Sequence, residues 1–461
     1  MHIDSKQSRR SFLQRTAQLG AAGVAAPLLS SLGLIGEAAA QSTGSGYKAL
    51  VCVFLYGGND HANTLIPYDS ASHSAYAALR RGVGLGRASL AGTVLTPKNN
   101  LGGRQFALNP ALLPLAPLFA QGKLAPLLNV GALVEPTSKS AYLSKSVRLP
   151  PQLFSHNDQQ SYMHAFAPEG ADAGWGGRMG DLLQASNGNA ALTSISLSGR
   201  ALWSTGNSVM PYTAQPNTIN ALSTGSDIYG STAALAAMRQ LMTLDTQTNW
   251  IAQEHARVVT RALTIGDTIS MALANAPVTQ FTTFTPGNSL SDDLKMVARL
   301  IKVGPSLGLN RQVFFVSQGG YDTHSGQVGR HPALMATLGQ ALGDFYAATV
   351  QHGIQDQVTS FTASDFGRTI GDNGDGTDHG WGGIHFALGG AVKGGAIYGT
   401  PPTVGINTNE DVNAGRQIPT TSIEQMAATL ALWFGVAPSD LPLILPNLRN
   451  FNSSSWNLGF I

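Results

Sequence analysis

The sequence predicts an α/β fold: a doubly wound, mostly parallel sheet with helices on both faces. Three observations point there. Short apolar runs without helical period, such as Lys48 to Tyr56 and Leu124 to Val134, read as strands buried on both faces. Stretches of helical spacing alternate with them along most of the chain, which is the rhythm of βαβ units. Several runs also end in loops that gather glycine, aspartate and histidine, where an open parallel sheet binds its ligands.

In chain order, Lys48 to Tyr56 is the first strand. Asn109-Pro110 opens a helix through Leu112, Leu115 and Phe119, with Gly122 past its end, and Leu124 to Val134 is the next strand. Gly174 to Ala185 is a short helix and Thr193 to Leu197 a strand. Residues 200–230, rich in Ser, Thr, Asn and Gly, read as a surface excursion. Two long helices follow between Ser231 and Ala276, so that residues 200–290 form a loop and helical insertion. The alternation then resumes with a helix over Leu294 to Val303, a strand over Gln312 to Ser317, a helix over Pro332 to Gln351 and a strand over Gln357 to Thr362. Phe386 to Ala391 and Ala396 to Tyr398 read as closing strands, and Ser422 to Phe434 as a helix capped by Thr420, Thr421 or Ser422.

At 461 residues the chain suits one large α/β domain with insertions, or about three average domains. Charged residues make up 12% of it, well below the roughly 25% usual for globular domains, which fits an exported protein. The net charge of +2 and the lack of a Lys/Arg cluster beyond the N-terminal segment speak against nucleic acid as a partner. Cys52 stands alone within a strand and reads as a buried small hydrophobe.

The N-terminus carries Ser8-Arg9-Arg10-Ser11-Phe12-Leu13-Gln14, an apolar segment from Leu19 to Ile35, and Ala38-Ala39-Ala40 before Gln41. This is the layout of a cleavable signal of the twin-arginine type over residues 1–40, leaving an α/β domain over 41–461. The expected location is periplasmic or secreted, with the twin-arginine export machinery as a transport partner. Glycines, Pro27 and serines weaken the apolar segment as a span, so no stable membrane anchor is expected after cleavage.

The candidate site comes from three loops. Tyr56-Gly57-Gly58-Asn59-Asp60-His61 and Gly319-Gly320-Tyr321-Asp322-Thr323-His324 each follow a predicted strand, and the stretch from Ser360 to His385 contains Asp365, Asp378 and His379. Right-handed crossovers bring parallel strand ends to one edge, so Asp60, Asp322 and Asp365 can converge. Clustered carboxylates are costly without a counter-charge, and a divalent cation such as zinc, calcium or magnesium supplies one. The expected grouping puts Asp322, His324 and His379 on one ion and Asp60 and Asp365 on another, with Asp378 and Asn59 as weaker candidates. Each has a plainer alternative: an Asx-turn at Asp60, and helix caps or pairing with Arg368 or Arg330 for Asp322 and Asp365. Asp372, Asn373, Asp375 and Asp378 also admit a calcium loop, without the EF-hand spacing.

A further polar segment, Phe154 to His164, offers Ser155 as a nucleophile activated by metal coordination and His156, Asp158 or His164 as an assistant. A capped helix with a solvated polar face is the alternative.

Taken together, GGNDHANTLIPYD, SHNDQQSYMH, GGYDTHSGQ, SDFGRTIGDNGDGTDHGWGG and GGAVKGGAIYG resemble the domain-of-unknown-function 1501 family along essentially the whole expected mature chain. That family is grouped with the alkaline phosphatase and sulfatase superfamily. The resemblance implies a metal-dependent phospho- or sulfohydrolase site acting on a small-molecule or polymer ester, with Asp60, Asp322, His324, Asp365 and His379 as metal residues. The middle pair is spaced D-x-H rather than D-x-x-x-H, Phe366 replaces the His that follows the late Asp, and no sulfatase C-x-P-x-R is present. A binding or structural protein of the same fold without turnover is the alternative these departures motivate.

Overall fold

The computed structural model describes residues 46–216, 227–244 and 249–461; the expected leader lies outside them. An eight-stranded sheet forms the centre. Its strands are β1 (Lys48–Leu55), β2 (Leu124–Gly131), β3 (Ser194–Ser196), β4 (Tyr212–Thr213), β5 (Arg311–Gln318), β6 (Val358–Ser364), β7 (Gly383–Gly389) and β8 (Thr421–Ser422). They lie in the order β8-β2-β7-β6-β1-β5-β3-β4, and only β7 runs antiparallel to its neighbours. The chain is therefore α/β with a large, mostly parallel sheet.

The helices used below are α1 (Ser70–Leu79), α2 (His156–Ala165), α3 (Trp175–Leu183), α4 (Thr232–Met242), α5 (Trp250–Leu273), α6 (Ser289–Val303), α7 (Gln327–Gln351) and α8 (Ile423–Phe434). They cover both faces. Ala49, Val51, Val53 and Leu55 of β1 join one core with residues of α5, α6 and α7, while Leu50, Cys52 and Phe54 join another with residues of α2, α3 and α8. Alternation along one strand thus buries both sets of side chains, as a sheet covered on both sides requires. Cys52 is a buried free thiol in that second core. Among the described residues no helix is long and apolar enough to cross a membrane.

Several expected elements shift for local reasons. The helix after Asn109 is a 3₁₀ segment, Pro110–Leu115, followed by one short α-turn, Ala116–Ala120, because Pro114 and Pro117 remove backbone donors. α7 starts at Gln327 rather than Pro332, since its first turn faces a buried polar network through Gln327 and His331 instead of showing an apolar stripe. Tyr398 makes only an isolated bridge to Leu127, between Gly395 and Gly399 at φ +72° and +88°. α8 is capped as a reciprocal box by Ser422 and Gln425.

Direction in the sheet positions the site. β1 is in register with both β5 and β6, Leu55 lying opposite Gln318 and Ser364, so three strands end at one level. β7 then returns antiparallel beside β6. A parallel crossover would carry the chain to the far edge, but this return keeps residues 365–382 at the edge where Asp60 and Asp322 also emerge.

Candidate functional site

Gly57 shows how tightly the strand-end loops meet. Its φ of +113° is left-handed, and an added Cβ would lie 2.3 Å from the Asp322 backbone nitrogen. Its N–H donates to Asp365 Oδ2 at 3.1 Å, and its carbonyl accepts from Arg368 Nη1 at 2.9 Å. One glycine peptide therefore ties β1 to the loops after β5 and β6.

The centre of the cluster is Asp322 Oδ1. His324 Nε2 lies 3.2 Å from it, His379 Nε2 3.4 Å and His156 Nε2 3.5 Å, while Arg368 Nη1 donates to it at 3.0 Å. Each imidazole is held from behind. His156 Nδ1 contacts Asp365 Oδ2 at 2.6 Å, His324 Nδ1 contacts Asp378 Oδ1 at 3.1 Å, and His379 Nδ1 contacts the Phe154 carbonyl at 2.7 Å. Carbonyls and ionised carboxylates only accept, so Nδ1 carries a proton in each ring, and in the neutral tautomer Nε2 would turn its lone pair toward Asp322. His324 Nε2 and His379 Nε2 stand 2.8 Å apart. Two facing lone pairs at that distance call for a proton or a cation shared between them.

Packing fixes the rings further. Phe366 is buried, with its ring centre 5.0 Å from that of His156 and 4.7 Å from that of His379. The front of the cluster is open, because the side chains of Asp322 and His324 are almost half exposed. Arg368, in contrast, is fully buried and also donates to Thr377.

Charge follows this geometry. The hydrogen bond that His156 donates to Asp365 raises the pKa of His156 above the ordinary value, against the opposing effect of partial burial. Burial lowers that of His379, helped by the positive field of His156 and Arg368. For Asp322, burial pushes the carboxyl up, but Arg368 and the neighbouring imidazoles outweigh it and the net shift is down.

The residues expected at the site fall into three groups. His156, Asp322 and His379 offer ligand atoms all within 4.8 Å of one another, and His324 approaches two of them. Asp365 is beside the cluster as the acceptor behind His156, also receiving Gln160 Nε2 at 2.9 Å. Asp60 is elsewhere in its bonding: it is fully buried, and its Oδ2 accepts from Arg80 at the end of α1 and from Gln327 of α7. Asp60 and Asp365 share no partner, so the expected pairing of these two on one ion is not the arrangement seen. Arg80 lies far from Asp60 in motif terms, within a helix end that has no strand-end signature.

Ser155 precedes α2 and its hydroxyl donates to Asp158 Oδ2 at 2.9 Å, which turns it toward its own helix. His164 is a core histidine against Phe54 and Phe315, with a pKa pushed down to about 3 by burial. His61 is likewise buried, and its pKa is lowered to about 4. In the loop considered for calcium, Asp372 accepts from Gly82 N and Asp375 from Gly326 N, while Asn373 braces Asp378. These bonds shape the loop around the cluster.

The plainer pairing of Asp322 with Arg368 is present, and it coexists with the imidazoles. In the sequence, His156 stands only as a candidate assistant to Ser155. Its place at N1 of a helix, immediately after a predicted loop and facing the strand ends, is the signal that could have placed it with His324 and His379.

No curated protein sequence matches the chain. The family model described as protein of unknown function (DUF1501) matches residues 47–441, which include every strand and every cluster residue described above, and the chain belongs to that family.

Proposed function

We propose that the chain is an exported, metal-dependent hydrolase of phosphate or sulfate esters, with His156, Asp322, His324 and His379 as the metal-holding set. The observation that carries the reading is the convergence of three Nε2 atoms on Asp322 Oδ1, each ring backed by an acceptor at Nδ1. Carboxylate–histidine pairs of this form orient and strengthen metal ligands. The spacing also fits: ligands about 2.0–2.1 Å from a tetrahedral zinc ion are roughly 3.3 Å apart, close to the three contacts to Asp322. The resemblance to the alkaline phosphatase and sulfatase superfamily supports the reaction class, and the twin-arginine-type leader supports export to the periplasm or beyond.

When bound, a divalent cation would polarise a phosphoryl or sulfuryl oxygen and make a water molecule more acidic. The protein's own residues set the stage for this. Asp365 and Asp378 fix the tautomers of His156 and His324, Phe366 holds the ring planes, and Arg368 anchors Asp322 from within. The open face admits an ester from solvent. The Ser155 hydroxyl is hydrogen-bonded to Asp158 of its own helix, and it is not given the role of the attacking group.

A second reading, a binding or structural protein of this fold without turnover, is favoured by the Ser155–Asp158 bond and by the enclosure of Asp60. A panel of phosphate and sulfate mono- and diesters, tested with zinc, calcium or magnesium, separates the two. Turnover abolished by His379→Ala and by chelation supports the hydrolase; a metal-loaded chain inert to the whole panel supports the second reading.

A further inference from the structure

We infer that the site takes one divalent cation, and that the buried guanidinium of Arg368 supplies its second positive charge. This rests on the metal reading above and adds the number of ions and the role of a residue. A two-ion centre at these strand ends would need carboxylates free at two places, around Asp322 and around Asp60. Both carboxylates face an arginine, but only that of Asp322 is also open to solvent, its side chain being almost half exposed where that of Asp60 is fully buried.

Asp322 Oδ1 is met by three imidazole nitrogens on an open face. Asp60 is closed off. Its Oδ2 accepts from Arg80 and Gln327, both buried with it, and its Oδ1 is enclosed without a partner. One free oxygen does not hold a divalent ion, which takes four or more ligands. The buried imidazoles near Asp60, His61 and His331, are directed elsewhere: His61 Nε2 toward Gln417 Oε1 at 3.4 Å and His331 Nε2 toward Asn59 Oδ1 at 3.1 Å. Among the described residues, His156, Asp322 and His379 offer ligand atoms within 4.8 Å of each other, and His324 joins them 3.2 Å from Asp322 and 2.8 Å from His379, so these candidate ligands all gather around Asp322 rather than around Asp60.

Arg368 links the two neighbourhoods. It donates to Asp322 Oδ1, and its charge is felt by Asp60 as well. Bonds to Gly57 O and to Thr377 fix the fork in place. A guanidinium does not lose its proton in a protein, so this charge is permanent. A second cation near Asp60 would face both Arg80 and Arg368 with a single carboxylate already committed to Arg80. Arg368 acts through Asp322 and is a positioning residue.

The test is titration of the metal-free full chain with Co²⁺, followed by its visible absorption and by equilibrium dialysis with elemental analysis. The expected result is one ion per chain in a single saturating phase, retained in Asp60→Asn and weakened at least 100-fold in Asp322→Asn. Arg368→Gln should alter the cobalt spectrum and Arg368→Lys should bring it back toward wild type. Two ions per chain would overturn this inference and leave the metal reading standing, while no ion at all would overturn both. An Arg368→Gln spectrum identical to wild type would overturn the role given to that residue. Should Asp60→Asn fail to fold, the wild-type stoichiometry decides alone.

Discussion

Replacing Asp365 separates a carboxylate that orients a ligand from one that is a ligand. Its Oδ2 accepts from His156 Nδ1, Gln160 Nε2 and Gly57 N, and the side chain is fully buried. Asp365→Asn keeps an acceptor in place but removes the charge, whereas Asp365→Ala leaves His156 free to rotate and strands the Gly57 N–H. Loss of an outer partner of this kind weakens metal binding by about 10–100-fold, roughly 1.4–2.7 kcal/mol. Asp365→Asn should fall at the lower end and Asp365→Ala at the upper. The alanine variant should also lose about 1–3 kcal/mol of stability through the buried unsatisfied donor. Zinc affinity by competition with a chromophoric chelator measures the first effect and urea unfolding the second. The sign of the pH effect is a further check. Asp365 raises the pKa of His156, and a protonated imidazole cannot ligate, so metal uptake in the wild type should weaken as pH falls through that raised value. Without the carboxylate charge, the onset of weakening should move to lower pH. Wild-type affinity and an unchanged pH profile in both variants would refute the reasoning.

Other perturbations test the scaffold. Arg80→Met leaves Asp60 buried and unpaired and should cost about 3–5 kcal/mol in denaturant unfolding. Gly57→Ala should cost roughly 3 kcal/mol or more, from its positive φ and the close Asp322 backbone, with loss of metal binding in parallel. Glu424 of α8, whose pKa burial raises from 4.5 to about 7, keeps its proton in the folded chain where the unfolded chain has lost it. Stability should therefore fall as pH rises from about 4.5 to about 7, by an amount of order 3 kcal/mol, and Glu424→Gln should flatten that slope in thermal melts at several pH values.

Much of the fold was legible because burial on both faces writes continuous apolar runs into β1, β2 and β5. Strand direction was not: the run at β7 looks like its parallel neighbours, and nothing in its side chains states that it returns antiparallel. Asp322, His324 and His379 were legible because their loops combine glycine with aspartate and histidine. The roles of Asp60 and Asp365 were not, since a carboxylate beside a ligand and a carboxylate in a buried ion pair have the same local sequence. Only the packing of α1 and α7 against the first loop reveals Arg80 and Gln327 as the partners of Asp60. His156 was visible as a polar residue opening a helix, but its Nε2 direction depends on Asp365, more than two hundred positions away.

X-ray absorption on the zinc-loaded chain addresses the metal-holding set most directly. The spectrum should show N/O ligands at about 2.0–2.1 Å with the outer-shell scattering of imidazole rings, reduced in His379→Ala and in His156→Ala. A bound zinc without imidazole scattering, or a chain that retains no zinc after loading and dialysis, would contradict the assignment of His156, Asp322, His324 and His379 as its ligands.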